Sequence, residues 1–329
     1  MLFRGQILGK YKILAPLGSG GFGVVYLAKD TWIDKDVAIK VPHKQNLNFT
    51  ELLREPRLLA ALNHPNIVSI TTAEKEDSIF FIVMEYVPGD TLETIIANSG
   101  ALETDRALDF ACQACLAVEH AHRQGVIHRD LRPANILVAE SDVLKIADFG
   151  TSRFLEIAAQ STTVIGSPPY MAPEQFEGKA VFASDLYSLG VTMYQMFTGV
   201  LPYETPAPSD REKLKTGELV RPPRLCTPSI PKALNDIIMK AMAPDLSKRY
   251  QRSGQLRTDL EGCRETGRDQ HAPPLSVATS PSAVRTGGQP FGFQSRSKTR
   301  DSPSARFCWQ CHKPLHARTD RCPFCGETQ

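Results

Sequence analysis

The sequence predicts an α+β protein with a β-rich first lobe, a helical second lobe, a disordered linker and a small cysteine-bearing unit at the end. Three observations predict this. Short apolar runs bounded by turn residues fill residues 1–90, the pattern of strands. From Thr104 onward apolar residues recur every three or four positions, the pattern of buried helix faces. In residues 264–306 large apolar side chains become scarce, and 16 of these 43 residues are Pro, Gly or Ser. Such a stretch cannot bury enough surface to offset its chain entropy.

In order along the chain, Tyr11–Leu17 and Val24–Lys29 read as strands around a glycine-rich turn. Val37–Val41 and Ile79–Tyr86 are further strand candidates, and one helix is expected around Glu51–Leu62. Ala107, Phe110, Ala111, Ala114, Cys115, Val118 and Ala121 then line one face of a helix that Gly125 ends. Two more helices are expected near Asp185–Thr198 and Leu234–Met242.

The chain has 329 residues, of which 42% are apolar, and a net charge of +2. Charge alone therefore does not point to nucleic acid. The basic excess sits in residues 264–306, with seven Lys/Arg against three Asp/Glu. No apolar run is long enough to span a bilayer, and the N-terminus lacks a secretory pattern, so a cytoplasmic protein is expected with no membrane partner. Four of the eight cysteines fall in the last 22 residues. The rest are scattered, unlike a disulfide framework.

Gly18-Ser19-Gly20-Gly21-Phe22-Gly23 followed by Val24-Val25 fits G-x-G-x-x-G-x-V. Glycines let a backbone approach phosphate oxygens without a Cβ in the way. The same spacing opens dinucleotide folds, but those need a helix next, and here Val24–Leu27 continues as strand. Lys40 ends Val37-Ala38-Ile39-Lys40, an apolar strand on which an ammonium needs an anionic partner. With this lysine the chain resembles the protein kinase family, and the resemblance implies the bilobal protein-kinase fold. It assigns Lys40 to the α- and β-phosphates of ATP, with Glu55 as its carboxylate partner.

Two more motifs follow in kinase order. His128-Arg129-Asp130-Leu131-Arg132-Pro133-Ala134-Asn135 fits the catalytic loop, and Asp148-Phe149-Gly150 comes thirteen residues after Asn135. Asp130 would orient the substrate hydroxyl and accept its proton. Asn135 and Asp148 would hold Mg²⁺. The resemblance further places Leu17, Val25, Ala38 and Leu137 around the adenine. Met84 would guard the back pocket, and Glu85 to Val87 would form the hinge. Asp185 would brace the catalytic loop, and Glu174 would pair with Arg249.

The segment Arg132-Pro133-Ala134-Asn135 is nearer the Lys-Pro-x-Asn of serine/threonine kinases than the tyrosine-kinase version, with Arg for Lys. Ser167 stands where Thr is usual, and the two departures are expected to face each other. The chain thus resembles the bacterial, Hanks-type serine/threonine kinases, which act on protein substrates. Asp148–Glu174 would be the activation segment, with Ser161, Thr162 and Thr163 in its middle; autophosphorylation at Thr162 or Thr163, after self-association, would order it through Arg129. Pro56, directly after Glu55, disfavours a regular helix there, which implies low basal activity. A pseudokinase scaffold recruiting partners through its C-terminus is the alternative reading.

Cys308-Trp309-Gln310-Cys311 and Cys322-Pro323-Phe324-Cys325 give C-x₂-C-x₁₀-C-x₂-C, a spacing that puts four thiolates around one structural Zn²⁺. The unit resembles a small zinc ribbon, expected to bind protein rather than nucleic acid because its basic residues are few. Cys112 and Cys115 are read as core packing. The expected organisation is an N-terminal extension (1–10), a kinase domain (11–263), a flexible basic linker (264–306) and the zinc ribbon (307–329).

Overall fold

A six-stranded antiparallel sheet forms the first lobe, in the order β1 (Ile7–Leu8), β2 (Tyr11–Gly20), β3 (Gly23–Asp30), β4 (Lys35–Pro42), β6 (Ile79–Glu85) and β5 (Ile70–Glu76). The computed structural model describes residues 2–21, 23–43, 45, 60–149, 167–206, 210–269, 306–307 and 314–315. The expected strands are all present. Tyr11, Ile13, Val24, Tyr26, Ile39, Phe81 and Val83 cover the buried face of the sheet, with Tyr11 edge-on to Phe81. Residues 7 and 8 are part of this lobe, since β1 pairs with β2 and Leu8 is buried. Residues 51–59, most of the expected intervening helix, lie outside the described residues.

The second lobe is helical: α1 (Leu92–Ser99), α2 (Thr104–Arg123), α3 (Phe182–Thr198), α4 (Arg211–Thr216), α5 (Pro223–Cys226), α6 (Lys232–Ala241) and α7 (Ser253–Asp269). Helix α2 starts where the Glu103 carboxylate caps the Arg106 N–H, and it buries the predicted face from Ala107 to Ala121. Cys115 is buried there and Cys112 partly so, both against the apolar core. Helix α3 is buried nearly all round, as its apolar sequence requires. Gly190 lies where α3 meets α6: a Cβ there would sit 2.8 Å from Met242 Cγ and 2.9 Å from Ala241 Cβ.

Helix α7 runs to Asp269, six residues past the expected boundary at 263. Leu256 and Leu260 are buried on it, and Cys263 packs partly against the same core. Its start is tied to α2, where Ser253 Oγ donates to the Cys115 carbonyl and the Gly254 N–H to the Glu119 carboxylate. No helix among the described residues is long and apolar enough to cross a membrane.

A three-stranded sheet of β7 (Gly89–Thr91), β8 (Ile136–Ala139) and β9 (Leu144–Ile146) holds the segments that carry the candidate site. Separately, residues 306–307 and 314–315 form an antiparallel pair, β10 with β11, in which Phe307 faces Pro314.

Candidate active site

The glycine-rich segment is the turn between β2 and β3, where Gly20 pairs with Gly23. Gly23 lies so close to β4 that a Cβ on it would meet the Val41 carbonyl oxygen at 2.3 Å. No other residue type fits there without moving the turn. Lys40 sits one strand further in, opposite Val25 on β3 and Ile82 on β6. Only 5% of it is exposed, and its ammonium donates to Asp148 Oδ1 at 2.7 Å. A charge this buried is tolerable because it is paired.

Asp130 is the centre of the catalytic-loop segment. Its Oδ2 accepts from Asn135 Nδ2 (3.1 Å) and its Oδ1 from the Ser167 N–H (3.1 Å). Asn135 Nδ2 also donates to the Asp130 carbonyl at 2.7 Å. This fixes the amide with its nitrogen toward Asp130 and its oxygen away from it. The Asn135 carbonyl in turn accepts from the Ala147 N–H, next to Asp148. Arg132 donates through Nη1 to Ser167 Oγ (2.8 Å) and through Nη2 to Glu93 Oε1 (3.1 Å). The two departures, Arg132 and Ser167, do face each other.

The loop's shape is held from below. Arg129 adopts φ +70°, a left-handed conformation costly for a non-glycine residue. Buried Asp185 on α3 accepts from the backbone N–H of Arg129 (2.9 Å) and of His128 (2.8 Å), and from His122 Nε2 (2.8 Å). Gln175 Nε2 donates to the Arg129 carbonyl. His128 Nδ1 accepts from the Asp130 N–H, so its Nε2 carries the proton it donates to the Ala147 carbonyl. The ring lies 4.6 Å from that of Phe149.

Gly18, Ser19, Gly20, Gly21, Gly23, Val25, Lys40, Glu93, Asp130, Arg132, Asn135, Asp148 and Ser167 line one cleft of about 640 Å³. Beside it Ala38, Met84 and Val87 form a small apolar cluster with Val25 and Leu137. Leu17 is 48% exposed. Met84 also borders a small apolar cavity behind Lys40, closed by Leu62, Val68 and Phe149. The Glu85 carboxylate is taken by Lys145 (2.9 Å), and its N–H donates to the Ser69 carbonyl, so neither group is open to a ligand.

Residues 11–259 match the family profile described as "Protein kinase domain". The chain belongs to the protein kinase family. A probable serine/threonine-protein kinase of Clostridium perfringens is 39% identical over 265 residues, which cover 78% of this chain and 39% of that protein. Serine/threonine-protein kinase PrkC of Bacillus subtilis is 37% identical, covering 79% of this chain and 41% of PrkC. PknB of Mycolicibacterium smegmatis is 34% identical over 326 residues, 91% of this chain and 52% of PknB. The chain spans between about two fifths and half of the length of these relatives.

The kinase domain also contains the predicted pair Glu174–Arg249. Arg249 is buried and forks onto both Glu174 oxygens (2.6 and 3.1 Å), while the Ala243, Ala183 and Pro244 carbonyls take its other N–H groups. Three partners escaped the sequence reading: Glu93, Gln175 and His122. None belongs to the motifs that identified the site, and each meets it only through the tertiary fold. Phe22, Glu55, Pro56, Gly150, Ser161, Thr162, Thr163 and the four C-terminal cysteines lie outside the described residues. Among the described residues no group of three His, Cys, Asp or Glu side chains is placed to hold a metal ion.

Proposed function

We propose that this kinase domain transfers the γ-phosphate of ATP to serine and threonine hydroxyls of other proteins. The observation that carries this is the placement of Asp130. Its carboxylate is oriented by Asn135 on one oxygen and by the substrate-side loop, through the Ser167 N–H, on the other. It shares one cleft with Lys40 and Asp148. Phosphoryl transfer needs alignment and charge neutralisation more than covalent help. Asp130 orients the acceptor hydroxyl and takes its proton. Lys40 holds the α- and β-phosphates under the backbone of Gly18–Gly23. Val25, Ala38, Met84, Val87 and Leu137 bury the adenine, with Leu17 over its edge and the Glu85–Val87 backbone reading its polar side. Arg132 and Ser167 set the acceptor side.

The Asp148 carboxylate and the Asn135 amide oxygen are hard oxygen donors of the kind Mg²⁺ selects, and the Asn135 amide is turned to present its oxygen away from Asp130. Bound there, Mg²⁺ would neutralise phosphate charge.

Glu55 completes the Lys40 site, and Pro56 beside it keeps basal activity low. Self-association allows phosphorylation of Thr162 or Thr163, and Arg129 then holds the phosphorylated segment. The C-terminal cysteines hold a structural Zn²⁺ in a ribbon that binds protein, joined by the basic linker, and the protein is cytoplasmic. The cysteine spacing supports the zinc reading, and the composition of residues 264–306 supports the linker reading.

The test replaces Asp130 by Asn. ATP affinity should stay within about threefold while transfer to a Ser/Thr peptide falls by ~10²–10⁴. Undiminished transfer by Asp130→Asn would remove Asp130 from the reaction. A wild-type protein that binds ATP and transfers nothing would favour the scaffold reading.

A further inference from the structure

One carboxylate in the cleft has no part in the reaction so far described. Glu93 stands in the first turn of α1, half exposed, 39 residues from Arg132 in sequence. Its Oε1 accepts from Arg132 Nη2 at 3.1 Å, while Nη1 of the same guanidinium donates to Ser167 Oγ at 2.8 Å. Arg132 Nε is buried and has no hydrogen-bond partner among the described residues. The guanidinium plane is therefore set by its two terminal nitrogens, one on each anchor. The Ser167 N–H then reaches Asp130 Oδ1. One hydrogen-bonded line thus runs from α1 through Arg132 and Ser167 to the carboxylate that would take the substrate proton.

We propose that Glu93 is a positioning residue for phosphoryl transfer: it anchors one arm of the Arg132 fork, so that the other arm fixes Ser167 beside Asp130. This rests on the kinase reading given above. It also accounts for the arginine at a position where lysine is usual. A lysine ammonium is a point charge with three rotatable donors and has no plane to fix between Glu93 and Ser167, whereas a planar fork does. Glu93 and Arg132 then form one unit, and either is worth less without the other.

The first-turn position offers Glu93 a purely structural role as well, since a carboxylate there interacts favourably with the helix N-terminus. The experiment separates the two. Wild type, Glu93→Ala, Arg132→Lys and the double variant of the full chain are assayed with Mg²⁺-ATP and a Ser/Thr peptide, and each is melted. Glu93→Ala is expected to lower kcat ~5-fold, the kinetic equivalent of an ion pair at the upper end of surface values, with KM for ATP changed less than twofold. Glu93→Gln, which keeps an acceptor oxygen, should recover about half of that loss on a logarithmic scale. In the Arg132→Lys background the same Glu93→Ala change should cost less than about twofold in kcat, because the arm that Glu93 anchors is already gone. An active wild type whose kcat is unchanged by Glu93→Ala overturns the inference alone. Equal kcat losses in both backgrounds also overturn it, since they would reflect helix stability. A wild type that transfers no phosphate overturns it together with the kinase reading.

Discussion

Replacing Asp185 by Asn tests whether the catalytic loop is held in shape by one buried carboxylate. Asp185 is 1% exposed and accepts three hydrogen bonds, from His128 N–H and His122 Nε2 on Oδ2 and from Arg129 N–H on Oδ1. An asparagine does best by keeping its oxygen where two donors converge. Its amide nitrogen then faces the Arg129 N–H, donor against donor. One charge-assisted bond is lost, worth ~1.5–3 kcal/mol, and a buried N–H is left unpaired, at ~1–3 kcal/mol. These overlap, so the expected loss of unfolding free energy is about 3 kcal/mol, measured by urea titration of variant and wild type. The same change releases Arg129 from φ +70°, the conformation that aims the following Asp130. Transfer to a peptide should therefore fall ~10–100-fold while KM for ATP moves less than threefold, because most of the residues proposed to hold the nucleotide lie on other elements. A stability change under ~0.5 kcal/mol together with unchanged kcat would refute the bracing argument.

Three further outcomes follow from the packing and the ionic contacts. Gly190→Ala should destabilise by ~1–3 kcal/mol, because the added Cβ meets Met242 and Ala241, whereas the same change in an open helix gains ~1 kcal/mol; thermal melting decides between them. The Glu177 carboxyl is drawn down to about 2, first by its hydrogen bond to Lys215 and then by Lys179. A depressed carboxylate pKa means that its stabilising contribution is present above the ordinary value and lost as pH falls toward 2. An NMR titration should show that midpoint rising in Lys215→Ala, and an unmoved midpoint would deny the pairing. At pH 8 a maleimide should modify exposed Cys226 and spare Cys115, whose buried thiol is pushed up to about 12; peptide mapping with equal labelling of both would contradict the buried placement.

The site was legible in the sequence wherever the chemistry dictates residue type. Phosphates demand glycines at 18–23, and a buried ammonium at Lys40 demands a partner. The ordering of Asp130, Asn135 and Asp148 allows few other readings. The buried helices were legible because apolar residues recur at a helical period in α2, and because α3 is an apolar segment too long for a strand. Strand β5, Ile-Thr-Thr-Ala-Glu-Lys-Glu, was not, because it lies at the sheet edge, half exposed, with charged residues on both faces. Strands β7 to β9, of three or four residues, are too short to show a period. Helix α7 was not expected at all, because its sequence is mostly polar: the buried Leu256 and Leu260 are its only large apolar side chains, and residues 264–269 continue the helix they start. Glu93 was invisible for a different reason. Its link to Arg132 is a contact across the fold, which no local spacing encodes.

The most direct test of phosphoryl transfer to serine and threonine is to incubate the purified protein with Mg²⁺ and γ-labelled ATP, beside an Asp148→Asn control, and to map the labelled residues by mass spectrometry. The account predicts phosphoserine or phosphothreonine, within Ser161–Thr163 above all, and none in the control. Label confined to tyrosine, or equal label in Asp148→Asn, would contradict it.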